Sequence, residues 1–398
     1  MKKLLVLAVA LASVNAFATK ARISALANSP HLIDTQTVFS NPADMFYVGG
    51  DYVTLESGQG NAGPVAGTPA TTTPGTGSAA VGSRNGLNNA EGMVVRSFGD
   101  AKAGFAIGHQ SALATGLRGD AAVPGLATNY FPNAIAFLQQ NPIDLSYGMK
   151  AGDLAWAGTL VYSKAENKVA GGTNLSEKED TLGLRGGFRM GAMDAKIGLG
   201  LANNYSNDAD GKFTGTMGVN AGFGMWLDTT YLSATIQNSG YKVESNAGLE
   251  TRKYTITNYG VNAVSTVKKD GSEFFYGVGL TNSETKVNAG AAIGSAATVE
   301  TTTTTLSLPV TMGLEVDAAS WMTFRGSITQ AIPVLNSTKT SATTTSKELN
   351  PITNNTAFAA GVGLKFNKIS LDGTILTGGS QVYSSNALLS QVGLTYMF

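Results

Sequence analysis

The sequence contains no cysteine, only two histidines and few charged residues among its 398 positions. The lack of cysteine excludes disulfide scaffolds, thiolate metal sites and cysteine nucleophiles. Two histidines, His31 and His109, are too few for a histidine-rich metal centre. Charged residues make up 14% of the chain, against roughly 25% in ordinary soluble domains. The 27 basic residues balance the 27 acidic ones, which argues against nucleic-acid binding as the main task.

Long apolar runs are also missing. Residues 1–18 combine a positively charged start at Lys2 and Lys3, an apolar stretch over 4–12 and the small-residue site Ala16-Phe17-Ala18. This pattern is typical of a secretory signal peptide. The stretch is shorter than the roughly 20 residues that a membrane-spanning helix needs, and no other segment approaches that length. We therefore predict cleavage after Ala18 and an exported protein without a transmembrane helix.

Glycine, with 49 residues, and short alternating segments are abundant instead. In the segment 143–150, Ile143, Leu145, Tyr147 and Met149 share one face, and small or polar residues share the other. A period of two residues predicts β-strands. Short turns alternate with long polar connections, which we place at 57–90, 111–141, 165–179, 289–299 and 334–354. Short turns on one side and long loops on the other are typical of bacterial outer-membrane barrels.

These patterns predict an all-β fold, namely a closed antiparallel transmembrane β-barrel over residues 46–398 with short periplasmic turns and long extracellular loops. A soluble β-sandwich is the alternative. Its solvent-exposed face would be rich in Lys, Glu, Asn and Gln, whereas the less apolar face here carries mainly Gly, Ala, Ser and Thr. Because hydrocarbon offers no hydrogen bonds, a sheet in lipid must close on itself. We expect about sixteen strands, or fourteen if the weakly alternating 252–267 and one partner are lost. The predicted strands are 46–56, 91–98, 102–110, 142–150, 154–164, 180–190, 195–205, 212–226, 230–240, 252–267, 273–285, 302–316, 321–331, 356–366, 369–377 and 387–398.

The chain ends in an alternating strand with an aromatic terminus. Val392, Leu394, Tyr396 and Phe398 form one apolar face. This segment resembles the C-terminal signal of bacterial outer-membrane proteins, which the barrel-insertion machinery reads. The resemblance implies a location in the outer membrane of a Gram-negative bacterium. The expected partners are that machinery, outer-membrane lipids and lipopolysaccharide, with a homo-oligomer left open.

Residues 19–45 do not alternate cleanly and form either a periplasmic or a lumen-plugging segment. Asn41-Pro42-Ala43, followed by the glycine-bearing 47–53, resembles the N-terminus of the long-chain fatty-acid outer-membrane transporter family. The resemblance implies that Asn41, Pro42 and Ala43 lie in a hatch that plugs the barrel. The departure is the interior, because that family has an apolar pocket and the inward positions here are small and polar. An ordinary turn before the first strand is the alternative.

The charges that line the lumen follow from the strand parity. If inward positions lie opposite the apolar face, nine cations and four anions point inward. The cations are Arg96, Lys102, Lys150, Arg185, Arg189, Lys196, Lys212, Arg325 and Lys365, and the anions are Asp51, Asp144, Glu315 and Asp372. The same rule places Phe213 on the lipid face. A net positive wall predicts anion preference, chiefly through Arg185 and Arg189. Pairing of these cations with acids is the alternative.

One short motif raises the question of catalysis. His109-Gln110-Ser111 weakly resembles outer-membrane phospholipase A, whose His and Ser lie on the barrel exterior. His109 shares the parity of Phe105 and Ile107 and is expected to face lipid, but the Asn-Gly-Arg continuation of that family is missing. We predict no enzyme, metal or cofactor.

The first functional hypothesis is an outer-membrane channel for the passive passage of small anionic or neutral hydrophilic solutes. A plugged transporter of hydrophobic molecules, as the fatty-acid transporter resemblance implies, is the second hypothesis. A structural or surface-displaying barrel, or a lipid-acting enzyme, is the third.

Overall fold

The computed structural model describes residues 19–58, 89–111, 139, 141–168, 176–207, 211–245, 250–289, 299–340, 345–349, 356–378 and 391–398. It begins with helix α1 (Lys20–Ala25) and two 3₁₀ helices, Thr37–Phe39 and Pro42–Phe46. The strands are β1 Tyr52–Gly58, β2 Asn89–Phe98, β3 Ala101–Ile107, β4 Ile143–Ala151, β5 Leu154–Lys168, β6 Ser176–Met190, β7 Met193–Asn207, β8 Gly211–Gly215, β9 Gly218–Leu227, β10 Thr230–Ser245, β11 Glu250–Lys269, β12 Ser272–Ala289, β13 Val299–Ala319, β14 Met322–Thr340, β15 Thr345–Leu349, β16 Thr356–Phe366, β17 Ile369–Gly378 and β18 Gln391–Met397.

The strands form one antiparallel sheet that closes on itself. Strand β1 pairs with β2 on one side and with β18 on the other. Strands β8 and β9 share one position, because both lie between β7 and β10. Strand β15 is a short addition beside the end of β14. The predicted closed barrel of sixteen strands is therefore confirmed, and the weakly alternating segment is β11.

The outer surface of the barrel is apolar, as β5 illustrates. Trp156 is 46% exposed and Tyr162 is 44% exposed, whereas Ala157 and Thr159 between them are each 4% exposed. Large apolar side chains on most strands repeat this pattern. Such a surface suits hydrocarbon, and the chain is an outer-membrane β-barrel. Among the described residues, no helix is long and apolar enough to cross a membrane.

The first strand begins later than predicted. Residues 46–51 belong to the segment before the barrel, because Pro42–Phe46 forms a 3₁₀ helix and β1 starts at Tyr52. Asn41 caps this helix, since its Oδ1 accepts a hydrogen bond of 3.2 Å from the Ala43 backbone N–H. Proline at the first helical position is favourable because it has no N–H that needs a partner.

Several predicted loops are shorter than expected. The loops placed at 165–179 and 334–354 are partly strand, because β5, β6 and β14 extend into them and β15 lies within the last, whereas only the two end residues of 289–299 belong to β12 and β13. Thr303 and Thr338 face each other across β13 and β14, with 3.4 Å between their hydroxyl oxygens. Threonine favours strands, and such cross-strand pairs stabilise the ladder. The loops predicted at 57–90 and 111–141 fall almost entirely outside the described residues.

Residues 19–51, which we call the inner segment, lie within the barrel. Helix α1 packs against β14, β16, β17 and β18, and the 3₁₀ helix Pro42–Phe46 packs against β4, β5 and β6. Apolar side chains of the inner segment join two clusters with inward residues of the wall. One cluster contains Val38, Met45, Val48, Tyr52, Met93, Val95, Ala106 and Ala157, and the other contains Leu26, Leu32, Val264 and Phe275. The inner segment therefore crosses the interior near the short turns, which form the periplasmic end of bacterial barrels.

Candidate functional site

Two buried arginines connect helix α1 to the wall. Arg22 Nε lies 2.8 Å from Glu315 Oε2, and Arg325 Nε lies 2.6 Å from the same oxygen. Arg325 also pairs with Asp372, and Arg22 lies 3.6 Å from Asp34 Oδ2 within the inner segment. Charge-assisted hydrogen bonds of this kind are strong because both partners are ionised. Helix α1 is thus fixed by charge to β13 and, through Glu315, to β14 and β17.

A second ionic contact holds the 3₁₀ helix Pro42–Phe46. Arg189 on β6 pairs with Asp44, and its Nη1 lies 3.4 Å from Asp194 Oδ2 on β7. Tyr231 donates its hydroxyl to the same carboxylate at 2.8 Å. The inner segment is therefore held by charge on two opposite stretches of wall.

A third contact lies where the barrel closes. Glu56 on β1 and Glu91 on β2 are cross-strand neighbours, and both are almost fully buried. The side-chain amide of Gln36 donates to both carboxylates, at 2.7 and 2.8 Å. The Lys20 backbone N–H donates to Glu56 at 2.7 Å, while the Lys20 ammonium pairs with Glu91. We call these four residues the carboxylate latch.

His109 points inward, so the prediction that it faces lipid is wrong. The strand ends at Ile107, and Gly108 has a φ of +79°, which breaks the strand parity. The His109 ring stacks on Phe39 with 3.7 Å between centroids, and its Nδ1 lies 3.1 Å from Glu91 Oε2. The histidine thus lies beside the carboxylate latch, inside the barrel.

Arg96 and Asp51 do not line the lumen, contrary to prediction. On β2 the inward side chains include Met93 and Val95, which pack against the inner segment, so Arg96 lies on the outer face. Its Nε lies 3.1 Å from Asp51, and its guanidinium carbon lies 5.4 Å from the Phe398 ring centroid. The parity rule failed here because the inner segment makes the inward face apolar.

Strand β8 is also reversed relative to the prediction. Phe213 is 1% exposed and faces inward, so its neighbour Lys212 is exposed on the outer face. Four inward aromatic residues, which we call the aromatic cluster, pack together here: Tyr205, Phe213, Tyr241 and Tyr254. The Phe213–Tyr241 and Tyr241–Tyr254 centroid distances are both 5.0 Å. Phe213 was expected on the lipid face because the apolar residues of β7, β8 and β10 were each assigned to lipid. They pack on one another instead.

The structure gives most of the remaining predicted lumen cations partners on the inner segment or the wall. Arg185 Nη1 lies 2.7 Å from Asp144 Oδ2. The Lys102 ammonium donates to the backbone carbonyls of Met45 and Gly50, each at 2.9 Å. The Lys196 ammonium donates to Ser40 Oγ at 2.6 Å. The Lys150 ammonium lies 5.3 Å from the Tyr47 ring centroid. Lys365 is exposed near a short turn. These partners occupy the surfaces on which the predicted anion path depended.

The three residues that resemble the transporter hatch are buried against β6. A Cβ added at Gly187 would lie 1.9 Å from Asn41 Oδ1 and 3.1 Å from Pro42 Cδ, so only glycine allows this approach. Asn41 and Pro42 therefore touch the inner wall directly, and Ala43 follows them, fully buried. Their action as a plug remains a prediction.

Burial changes the proton affinity of two inner-segment residues that the sequence analysis did not single out. Burial raises the pKa of Asp34 to about 7, although nearby Arg22 and two backbone N–H groups oppose the rise. Burial lowers the pKa of His31, whose Nε2 lies 3.4 Å from Glu273 and whose ring packs edge-on against Phe275. Nothing in their spacing distinguished these residues, because their environment is made by distant strands. Among the described residues, no cluster could hold a metal ion.

The inner faces of β12 over 277–285 and of β13 over 301–311, which we call the upper wall, differ from the short-turn end. Their inward residues are Gly277, Gly279, Thr281, Ser283, Thr285, Thr301, Thr303, Thr305, Ser307, Pro309 and Thr311. The hydroxyl oxygens of Thr281 and Ser307 are 2.7 Å apart, and those of Thr311 and its β14 neighbour Thr329 are 3.3 Å apart. The upper wall is thus polar but uncharged.

The C-terminal strand presents its predicted apolar face outward. The exposed fractions of Val392, Leu394, Tyr396 and Phe398 lie between 36% and 51%, whereas Thr395 is fully buried. The Phe398 backbone N–H donates to the Asp51 carbonyl at 3.0 Å, which ties the terminus to the start of β1. Recognition by the insertion machinery remains a prediction.

No protein-family model matches this chain, and no curated protein matches its sequence. Similar solved structures include CdiB from Escherichia coli, with 10% identity and a TM-score of 0.41 over 87% of this chain. The chain spans 63% of the length of CdiB. A loop-deletion mutant of the Vibrio cholerae outer membrane protein OmpT has 12% identity and a TM-score of 0.33, covering 87% of this chain and 97% of that one. The Pseudomonas putida toluene transporter TodX has 9% identity and a TM-score of 0.36, covering 95% and 96%. At these scores the comparisons assign no role to any residue.

Proposed function

We propose that this protein is a gated outer-membrane transporter whose inner segment closes the short-turn end of the barrel. Small, neutral, polar solutes pass when the inner segment moves. The observation that carries this proposal is the set of ion pairs that bridge the lumen, from Arg22 to Glu315 and from Asp44 to Arg189. An open channel would leave wall charges facing water, whereas these charges face a second part of the same chain.

The way the inner segment is attached supports a gate over a permanent core. Residues 19–51 contribute no strand to the sheet, so their release leaves every ladder of the barrel intact. The described contacts are side-chain ion pairs, hydrogen bonds and small apolar clusters. Elements held in this way open at a lower free energy than paired strands.

The solute class follows from the distribution of charge. The arginines that favoured anion preference, Arg185 and Arg189, are paired with carboxylates. The upper wall offers hydroxyl groups and no charge. A path lined in this way selects weakly by charge and favours solutes that exchange hydrogen bonds with hydroxyl groups.

The proposal is tested by loosening the inner segment at both anchors without changing the wall. We expect Arg22→Gln combined with Asp44→Asn to raise single-channel conductance in planar bilayers at least several-fold over the wild type. Uptake of a neutral sugar into proteoliposomes should increase in parallel. The matched control is Pro30→Ala, because Pro30 is an exposed residue of the same segment.

Conductance and sugar uptake together separate gating from solute transport. A wild-type conductance as high as that of the double variant would show that the inner segment does not close the barrel. If no variant admits the sugar although conductance rises, the barrel conducts ions but the proposed solute class is wrong. Different migration of unheated and boiled samples on a gel verifies that each variant retains a closed barrel.

A second candidate function, transport of apolar molecules, is favoured by the aromatic cluster on the inner face. Its four rings are each 9% exposed or less, so an apolar cargo would have to enter by separating them. Organic extraction of the purified protein followed by mass spectrometry distinguishes the two functions. A stoichiometric apolar ligand that is lost in Phe213→Ala would favour this second function over the first.

A further inference from the structure

Thr19, the residue that follows the predicted cleavage site, is buried where the barrel closes. It is fully buried, and a Cβ added at Gly393 on β18 would lie 2.4 Å from the Thr19 Cβ. Gly393 is the cross-strand neighbour of Glu56, which in turn faces Glu91. Thr19 therefore lies on the inner wall directly beside the carboxylate latch.

With both Glu56 and Glu91 ionised, the carboxylate latch is short of positive charge. The two carboxylates then carry two negative charges, whereas Lys20 supplies one positive charge and Gln36 supplies none. Among the residues that the structure describes, the imidazole of His109 also faces Glu91, and it adds no charge when it holds a single proton. Unpaired buried charge is costly, so a second cation near Glu56 would stabilise the latch.

We propose that the α-ammonium group created at Thr19 by removal of residues 1–18 is this second cation, and that it completes the docking of the inner segment. The Lys20 nitrogen is 2.7 Å from Glu56 Oε2. Consecutive backbone nitrogens are less than about 4 Å apart, so the Thr19 nitrogen lies within roughly 7 Å of that oxygen. Charges at this separation attract each other inside a protein, because the interior screens them less than water does.

A chain that still carries residues 1–18 has an amide nitrogen at Thr19 in place of the ammonium. The proposal therefore makes proteolytic processing a condition for tight docking, so that the lumen closes only in the mature protein. It does not depend on transport, because docking is measured directly in the experiments below.

The first experiment locates the amino terminus of protein purified from outer membranes. We expect the intact mass of residues 19–398. An amine-reactive ester should modify the α-amino group only after the barrel is denatured. A different starting residue, or rapid modification in the folded barrel, would overturn the proposal.

The second experiment shifts the ammonium group and asks whether Glu56 senses the change. One glycine inserted between Ala18 and Thr19 moves the charge by about 3.8 Å. Docking is followed by the maleimide labelling rate of Ser24→Cys, a buried position in a chain without cysteine. We expect the insertion to raise this rate about tenfold with Glu56 present, because a charge-assisted contact is lost. In Glu56→Gln we expect a change of less than about twofold.

The control for reagent access is Ser320→Cys, which lies in an exposed turn and should label at one rate in all backgrounds. An equal effect of the insertion with and without Glu56→Gln would show that the extra residue acts only by its bulk, and would overturn the proposal. Absence of any effect with Glu56 present would overturn it as well. If Glu56→Gln does not assemble, the amine-reactivity measurement decides the question on the wild-type chain.

Discussion

The two ends of the barrel interior are lined by different kinds of side chain. Near the short turns, buried arginines of the wall meet carboxylates, and the inner segment contributes both charges to this network. On the upper wall, threonine and serine hydroxyl groups hydrogen-bond across neighbouring strands and no charge is present. The contrast shows that a charged wall residue does not by itself indicate an ion path. A charge acts on a passing solute only where no other part of the chain neutralises it.

The largest expected effect comes from breaking the network near the short turns. Arg325→Leu leaves Glu315 and Asp372 without the guanidinium that joins them, and removal of one partner from buried ion pairs costs roughly 3–5 kcal/mol. We expect a lower midpoint of unfolding in urea, followed by the loss of the fast-migrating band on gels. Lys368→Leu, at an exposed cation in the turn between β16 and β17, is the matched control and should leave the midpoint unchanged. Equal midpoints for both variants would contradict a structural role of the network.

The aromatic cluster provides the next test, because it is apolar and lies toward the other end of the interior. Phe213→Ala should cost about 3 kcal/mol through the lost contacts and the cavity that remains. Phe223→Ala changes a ring that is 45% exposed on the outer face, and we expect less than half that cost. The same urea titration measures both. A larger loss from Phe223→Ala would place Phe213 outside the core.

A charge placed on the upper wall should have an effect that the paired charges lack. In the Arg22→Gln/Asp44→Asn background, Thr311→Lys should shift the reversal potential in a salt gradient toward anion preference. The shift should grow at low ionic strength, since salt screens the new charge less. Thr311→Gln has a polar side chain without the charge and should shift nothing. An unchanged potential in Thr311→Lys would mean that ions do not pass this wall.

The smallest effect we expect is a pH dependence of docking through Asp34. Its pKa is about 7 when the inner segment is docked and near its ordinary value of 3.8 when released. The released state therefore loses its proton first, and docking weakens as pH rises from about 4 to about 7. His31 acts in the opposite sense. Its pKa is lowered from the ordinary value of 6.5 when the inner segment is docked, so protonation of His31 at pH values below 6.5 favours release.

The maleimide labelling rate of Ser24→Cys, divided by that of Ser320→Cys at each pH, measures this dependence. Asp34→Asn should remove the contribution of Asp34, so that the labelling ratio rises less between pH 5 and 7 than it does in the chain with Asp34. An equal rise of the ratio with and without Asp34→Asn would assign the titration to another group.

The alternating pattern predicted the strands of the wall more accurately than the residues that face the interior. The alternation in β4, β5 and β18 predicted both the strands and their outward faces, because lipid selects apolar residues at every second position. The errors at Arg96 and Phe213 share one cause. Each lies where the inward face is packed against the inner segment or against other strands, so apolar residues on that face no longer indicate lipid. The error at His109 has another cause, because β3 ends at Ile107 and Gly108 breaks the alternation.

By itself the sequence determined the all-β class, the sixteen strands and the apolar outer band, because these depend on local periodicity and on the need to pair every backbone group in lipid. Only the tertiary structure decided which charges are neutralised. Arg22 and Glu315 are separated by 293 positions in the sequence. Other ion-pair partners in the interior are also separated by long stretches of chain. Closing the sheet brings such residues together in the interior, and no local pattern records which carboxylate each arginine will meet.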